Sequence, residues 1–245
     1  MSSSTQRTEK FWRDAAGASL VVLTDFDFTI SEVDIGDLIT NTFSPPSAET
    51  LARYRAYEIG TRLYWADSMA RVDPNAGAEL AATVGIDPHF AGFARWAAGQ
   101  GIPMAVVSDG FWFYISRVLS REGLGHLPVF CNDMPATGRL EFPNGSALCD
   151  RCGCCKAGVA RRVKAQGAHV VYCGDGSSDI YGSGFADWVF AKGRLARYME
   201  RRGSPFFPLD SFDDVYLTLS AGLDAFRAGT APGRATLGQH EFCRF

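Results

Sequence analysis

The sequence predicts an α/β protein: a Rossmann-like parallel sheet with helices on both faces, plus an inserted all-helical cap. Three observations carry this reading. Short apolar runs with β-branched residues end abruptly in polar turns near residues 25, 108 and 174. Segments of helical spacing separate most of these runs, the alternation that builds parallel sheets. Residues 33–100, between the first two runs, show helical spacing throughout and offer no strand of any strength.

The elements follow in order. Residues 1–18 read as a leader with one or two helical turns around Phe11 and Trp12. The first strand covers residues 19–25. In the helical block, Ile35, Leu38, Ile39, Leu51, Tyr54, Leu63 and Met69 recur at spacings near three and four. Ser44-Pro45-Pro46-Ser47 interrupts it, and Asp73-Pro74 and Asp87-Pro88 are helix starts, with Asp as cap and Pro in the first turn. Strands return at 103–107, 129–131, 168–173 and 187–190. Helices are expected at about 111–122, 154–166, from 178, at 193–202 and at 213–227. Residues 133–150 are irregular, with room for a small hairpin, and 229–245 read as a tail. The core is therefore 19–32 plus 101–228, with 33–100 as the cap and 1–18 and 229–245 as terminal segments.

Composition narrows the function. The chain has 245 residues, 47% of them apolar and 21% charged, enough for one large core and too apolar for disorder. A net charge of −3 argues against a general nucleic-acid surface. No apolar run approaches about 18 residues, so no membrane span is expected. The N-terminal residues lack the apolar stretch of a secretory signal, and a cytoplasmic protein is the default expectation.

The chemistry concentrates at the strand ends. Asp25 and Asp27 close the first strand two residues apart, and carboxylates this close call for a cation or a proton between them. Ser108, Asp109 and Gly110 end the second strand. Lys156 opens a helix. Gly174, Asp175, Gly176 and Asp179 follow the fourth strand. A carboxylate nucleophile, an acid to protonate a leaving alkoxide, a hydroxyl and an ammonium for phosphoryl oxygens, and carboxylates for a hard metal are the parts of a phosphoryl-transfer site.

These motifs, in this order, resemble the haloacid-dehalogenase (HAD) superfamily, in particular its phosphoserine-phosphatase-like branch with a helical cap. Val107-Ser108-Asp109-Gly110, the Cys-Gly-Cys-Cys-Lys run ending at Lys156, and residues 189–196 are most similar to the group around the methionine-salvage phosphatase acting on 2-hydroxy-3-keto-5-methylthiopentenyl-1-phosphate. The resemblance spans roughly residues 19–217. It implies an Mg²⁺-dependent phosphomonoesterase for a small phosphorylated metabolite, working through an aspartyl-phosphate. Asp25 would be the nucleophile and Asp27 the general acid/base, its carbonyl a metal ligand. Ser108, with Asp109 and Gly110, would bind the phosphoryl group. Lys156 would neutralise it together with Asp25. Asp175 and Asp179 would join Asp25 and Asp27 around the metal. A phosphotransferase, or a silent binding module of the same fold, is the alternative, and the oligomeric state is open.

Other features have several readings. Cys149, Cys152, Cys154 and Cys155 are packed small residues, a zinc site or a redox group. The four histidines are scattered. Glu32, Arg53, Tyr57 and Arg62 are candidates for reading substrate from the cap, with Asp34 competing for the role of Glu32. Phe28 stands where the family often has glycine or another small residue, and its ring is expected to crowd the cap hinge or face the sheet.

Overall fold

The computed structural model describes residues 4–69, 71–135 and 138–243. Parts of the expected leader (1–3), helical block (70), irregular segment (136–137) and tail (244–245) lie outside the described residues. Six strands form the sheet: β1 (Leu20–Thr24), β2 (Met104–Phe111), β3 (Val129–Asn132), β4 (His169–Gly174), β5 (Trp188–Ala191) and β6 (Phe207–Pro208). Their order is β3-β2-β1-β4-β5-β6, and every pairing is parallel. The chain thus works outward from β1 to one edge, then from β4 to the other. The order reverses between β1 and β4, and their carboxyl ends open the crevice where such sheets hold ligands. Thr24 pairs with both Val106 and Cys173, so Asp25, Ser108 and Asp175 emerge at one level.

Eleven helices surround the sheet among the described residues: α1 (Ser4–Ala15), α2 (Ile35–Phe43), α3 (Ala48–Arg55), α4 (Thr61–Ser68), α5 (Pro74–Ala81), α6 (Phe90–Gly99), α7 (Trp112–Arg121), α8 (Lys156–Ala165), α9 (Asp179–Ser183), α10 (Gly193–Arg202) and α11 (Phe212–Ala228). Strands β1 to β5 are buried on both faces, and the period-two alternation sorts their side chains. Val22, Val106, Val171 and Phe190 face one core with Phe93, Ile115 and Phe212. Val21, Leu23, Val107, Tyr172 and Val189 face the other with Phe11, Val159 and Leu195.

Four details differ from the sequence reading. The leader is an integral helix, because Phe11 is buried and packs edge-on against Phe130 at 5.4 Å. The tail is tied back, with Ala231 accepting from the Trp188 indole and Ala235 donating to Asp187. The two-residue strand β6 contains a proline and gave no sequence signal. Finally, α5 packs on α7, and α6 on α11 and β2. Within the expected cap, α5 and α6 thus pack on core elements, and α2 also touches β2. The links flanking α2–α5 run side by side: Ser31 bridges Ile86, Glu32 donates to the Gly85 carbonyl, and Asp87 donates to that of Ile30.

Candidate functional site

A cleft of about 850 Å³ opens over the carboxyl ends of β1, β2 and β4 and under the cap helices. At its floor, Asp25 is 6% exposed. One of its carboxylate oxygens lies 2.8 Å from Lys156 Nζ, and the other accepts from the Phe26 amide at 2.7 Å. Lys156 is itself buried and reaches Asp179 Oδ1 at 2.7 Å. Asp179 has both oxygens engaged. Tyr172 Oη also donates to Oδ1 at 2.8 Å, and the Asp175 and Gly176 amides donate to Oδ2 at 3.1 and 2.8 Å. Asp175 is held by Thr29 Oγ1 at 3.3 Å.

Charge at the floor is unbalanced: of three carboxylates, Asp25 and Asp179 contact the Lys156 ammonium, and Asp175 feels Lys156 and Lys192 only at longer range. Burial would lower Lys156, but the Asp179 and Asp25 carboxylates hold it well above the ordinary lysine range. Burial would raise Asp179, but Lys156 and the donors around it keep it below the usual carboxylate range. Asp25 and Asp175 carry the surplus. Burial and then the Asp179 charge raise both, Asp175 to about 7. Oxygens of Asp25, Asp175 and Asp179 lie within 4.8 Å of one another, the grouping a cation would neutralise.

Asp27 sits one step out, part-buried. Its carboxylate accepts from Tyr114 Oη at 2.7 Å and from the Ile35 amide at 2.9 Å. Burial raises it to about 6 despite these donors. The Tyr114 approach requires glycine at 110, where a Cβ would lie 1.9 Å from the phenol oxygen. Ser108 lines the cleft, and its Oγ accepts from the Gly110 amide at 2.9 Å. The Asp109 carboxylate is already committed, accepting from the Cys154 amide at 2.7 Å and from Thr61 Oγ1 at 3.0 Å. Its side chain ties the cap to the core and is not free for an anion.

The cap candidates separate. Tyr57, Glu32 and Asp34 line the cleft; Arg53 and Arg62 do not. Arg53 stays on the surface beside Glu49 and Glu58. Arg62 reaches the cysteine-rich loop, donating to the Cys152 carbonyl at 2.7 Å and to that of Ser146 at 3.2 Å. Asp34 caps α2 through the Asp37 amide, and burial followed by the charges of Asp27 and Asp37 raises its carboxyl. Phe28 is half exposed and not packed on the sheet, and its amide donates to the Val33 carbonyl where the chain enters the helical block. It lines the cleft, and its backbone is left-handed at φ 54°, a conformation that favours glycine.

The cysteines support the loop. Cys154 is buried with its sulfur 3.5 Å from the Phe130 carbonyl, and Cys155 caps α8 by accepting from the Gly158 amide. Among the described residues, no three cysteine sulfurs approach within 4.8 Å of one another, so the zinc reading finds no ligand set there.

A family profile described as haloacid dehalogenase-like hydrolase matches residues 22–182, the span from β1 through α9. The chain belongs to the haloacid dehalogenase-like hydrolases. A 2-hydroxy-3-keto-5-methylthiopentenyl-1-phosphate phosphatase of Exiguobacterium sibiricum is 30% identical over 79% of this chain and 93% of its own length. A relative of the same name from Brevibacillus brevis is 29% identical over 80% and 93%. Among solved structures, a phospho-aspartyl intermediate analogue of phosphoserine phosphatase superposes with a TM-score of 0.60 at 16% identity, covering 83% of this chain and 98% of that one. A probable phosphoserine phosphatase from Vibrio cholerae gives 0.62 at 16% identity, covering 85% and 66%. The named relatives and the hydrolase fold make this chain a phosphatase-type enzyme of the family. No helix among the described residues is long and apolar enough to cross a membrane.

Sequence reasoning missed Tyr114, Tyr172, Thr29 and Thr61. Each supplies a hydroxyl to a site carboxylate. The two tyrosines are buried among apolar residues, and in sequence they read as packing.

Proposed function

We propose that the protein is an Mg²⁺-dependent phosphomonoesterase for a small phosphorylated metabolite, with Asp25 as nucleophile. The observation that carries this reading is the buried Asp25–Lys156–Asp179 chain facing the cleft. Lys156 keeps Asp25 oriented and offsets the charge of an incoming phosphoryl group. Asp25 attacks phosphorus and the ester oxygen leaves, so an aspartyl-phosphate forms on the enzyme. The Ser108 hydroxyl hydrogen-bonds phosphoryl oxygens.

Asp27 is placed beside the cleft with a carboxyl raised to about 6, which suits a group that first gives a proton to the leaving alkoxide. It then takes one from the water that hydrolyses the acyl phosphate. Tyr114 and the Ile35 amide fix its orientation through both steps.

The donor set fits a hard divalent cation. Asp175 has an uncommitted oxygen and Asp25 singly engaged ones, both residues carry surplus charge, and the Asp27 carbonyl would be a third ligand. Asp179, engaged by four donors, holds the loop that presents Asp175. When bound, Mg²⁺ supplies charge neutralisation between the carboxylates and the phosphoryl oxygens. The relatives' printed substrate makes an enolic keto-phosphate the first compound to assay, and a cytoplasmic location is expected.

The test uses an aryl phosphate and that candidate substrate. Wild-type turnover should stop on chelation and return with Mg²⁺. Asp25→Asn should lower turnover on the order of a thousandfold or more with an unchanged melting temperature. Wild-type rates from the Asn variant would refute the assignment.

A further inference from the structure

Two residues remain unexplained by the chemistry at the cleft floor. Phe28 and Tyr57 are the only non-glycine residues with positive φ among the described ones, at 54° and 59°. Both are aromatic and 48% exposed, and both line the same cleft, Phe28 from the turn after β1 and Tyr57 from the link between α3 and α4. Neither ring stacks on another aromatic ring. Side chains with a Cβ rarely hold this backbone, and such strain persists only where surrounding structure enforces it.

Each position is enforced. The turn after Phe28 is closed by the Thr29, Ile30 and Ser31 amides, all donating to the Phe26 carbonyl at 2.8–3.2 Å. The turn at Tyr57 is closed by its amide donating to the Tyr54 carbonyl at 3.0 Å. From the cysteine-rich loop packed against the start of α4, Arg151 Nη2 donates to the Tyr57 carbonyl at 2.6 Å. Tyr57 Oη also stands 3.4 Å from Ser177 Oγ, beside the Asp175 loop. An exposed apolar ring on a strained backbone contributes little to stability, so neither position is explained by packing.

We infer that Phe28 and Tyr57 form an aromatic reading pair that selects phosphate esters whose leaving group is flat and π-conjugated. Phe28 directly follows Asp27, the residue assigned to the ester oxygen, and lines the same cleft, which puts it within reach of the leaving group. Tyr57 approaches from the cap and meets the same part of the substrate when the cleft is filled. A planar enol or aryl leaving group presents faces to both rings, whereas a saturated one of equal size does not. The inference rests on the phosphatase reading for which end of the substrate enters first.

The test is binding of two non-hydrolysable probes, phenylphosphonate and cyclohexylphosphonate, to the Mg²⁺-loaded protein by calorimetry. They share the anion and ring size and differ in planarity. Wild type should prefer the phenyl compound. Phe28→Leu and Tyr57→Leu should each cut that preference by roughly two- to tenfold. Phe28→Gly should cut it equally while melting at the wild-type temperature or higher, since glycine relieves the strained backbone. An unchanged preference in both Leu variants overturns the inference, as does a lowered melting temperature in Phe28→Gly, which would assign the ring to packing. The two readings fail separately. A protein that shows the preference but hydrolyses no ester refutes the catalytic assignment alone. One that hydrolyses esters with no preference refutes the aromatic pair alone.

Discussion

The two ends of the sheet each bury an aspartate beside a lysine, and they differ in charge balance. At the carboxyl end, Asp25 and Asp179 share the ammonium of Lys156, Asp175 stands beside them with Lys192 acting only from further off, and burial and repulsion raise two of the three. At the amino end, Asp187 stands alone among cations. It accepts from Lys164 Nζ at 2.6 Å and from the Val170 amide at 2.8 Å, and it is bonded to Arg234. Burial would raise it, but those donors keep its carboxyl below the ordinary value. A saturated carboxylate is a structural tie; here it fastens the tail to β5. A surplus of carboxylates is costly to keep unless a cation or phosphoryl chemistry uses it.

The comparison is broken most strongly at Lys156. Lys156→Met strands Asp25 and Asp179 in a dry site. Unfolding stability should fall by about 3–5 kcal/mol in denaturant titrations, and phosphatase activity should vanish. Stability within about 1 kcal/mol of wild type would mean that the two carboxylates are not held as charges by this lysine.

Asp187→Asn should cost less, about 1–3 kcal/mol, because Lys164 and Arg234 can turn to water. It should leave turnover unchanged. The sign with pH is fixed by the depressed carboxyl. The Asp187 contribution is present in full above the unfolded aspartate value and lost as pH falls through the lower folded value. Wild type should therefore lose stability below about pH 4 more steeply than the Asn variant. Parallel acid-unfolding curves would show that the amino-end cluster is not saturated as described.

Two cap arginines give the smallest contrast. Arg62→Ala removes two bonds to the cysteine-rich loop and should cost about 1–2 kcal/mol, with a raised KM from a loosened cap. Arg53→Ala removes only long, solvent-exposed ion pairs and should change neither melting temperature nor KM. Equal effects from the two would contradict the placement of Arg62 as the tie.

These contrasts also mark what the sequence could tell. Asp25, Asp27, Ser108, Lys156 and Asp175 were legible because each closes an apolar run or opens a helix, and a parallel sheet gathers such ends on one edge. Asp187 also borders a strand, but at its amino end, and only the fold distinguishes the two edges. Arg53 and Arg62 look alike in a helical block; which one meets a core carbonyl depends on where the cap lands. Tyr114 and Tyr172 have the spacing of core residues, so their hydroxyl bonds to Asp27 and Asp179 left no trace. The left-handed backbone at Phe28 was hidden because a turn of that kind is read from glycine or asparagine, and an aromatic residue there gives no turn signal. Where α5 and α6 would pack was hidden for a related reason. The period of α5 and α6 shows an apolar face, but not whether that face meets the cap or the core.

The central claim is that Asp25 carries the phosphoryl group between substrate and water. The most direct measurement is to quench the Mg²⁺-loaded enzyme in acid during turnover, reduce the acyl phosphate with borohydride, and locate the modified residue by peptide mass spectrometry. The account predicts conversion of Asp25 alone, and none in Asp25→Asn. Modification of a different side chain, or sustained turnover by the Asn variant, would contradict it.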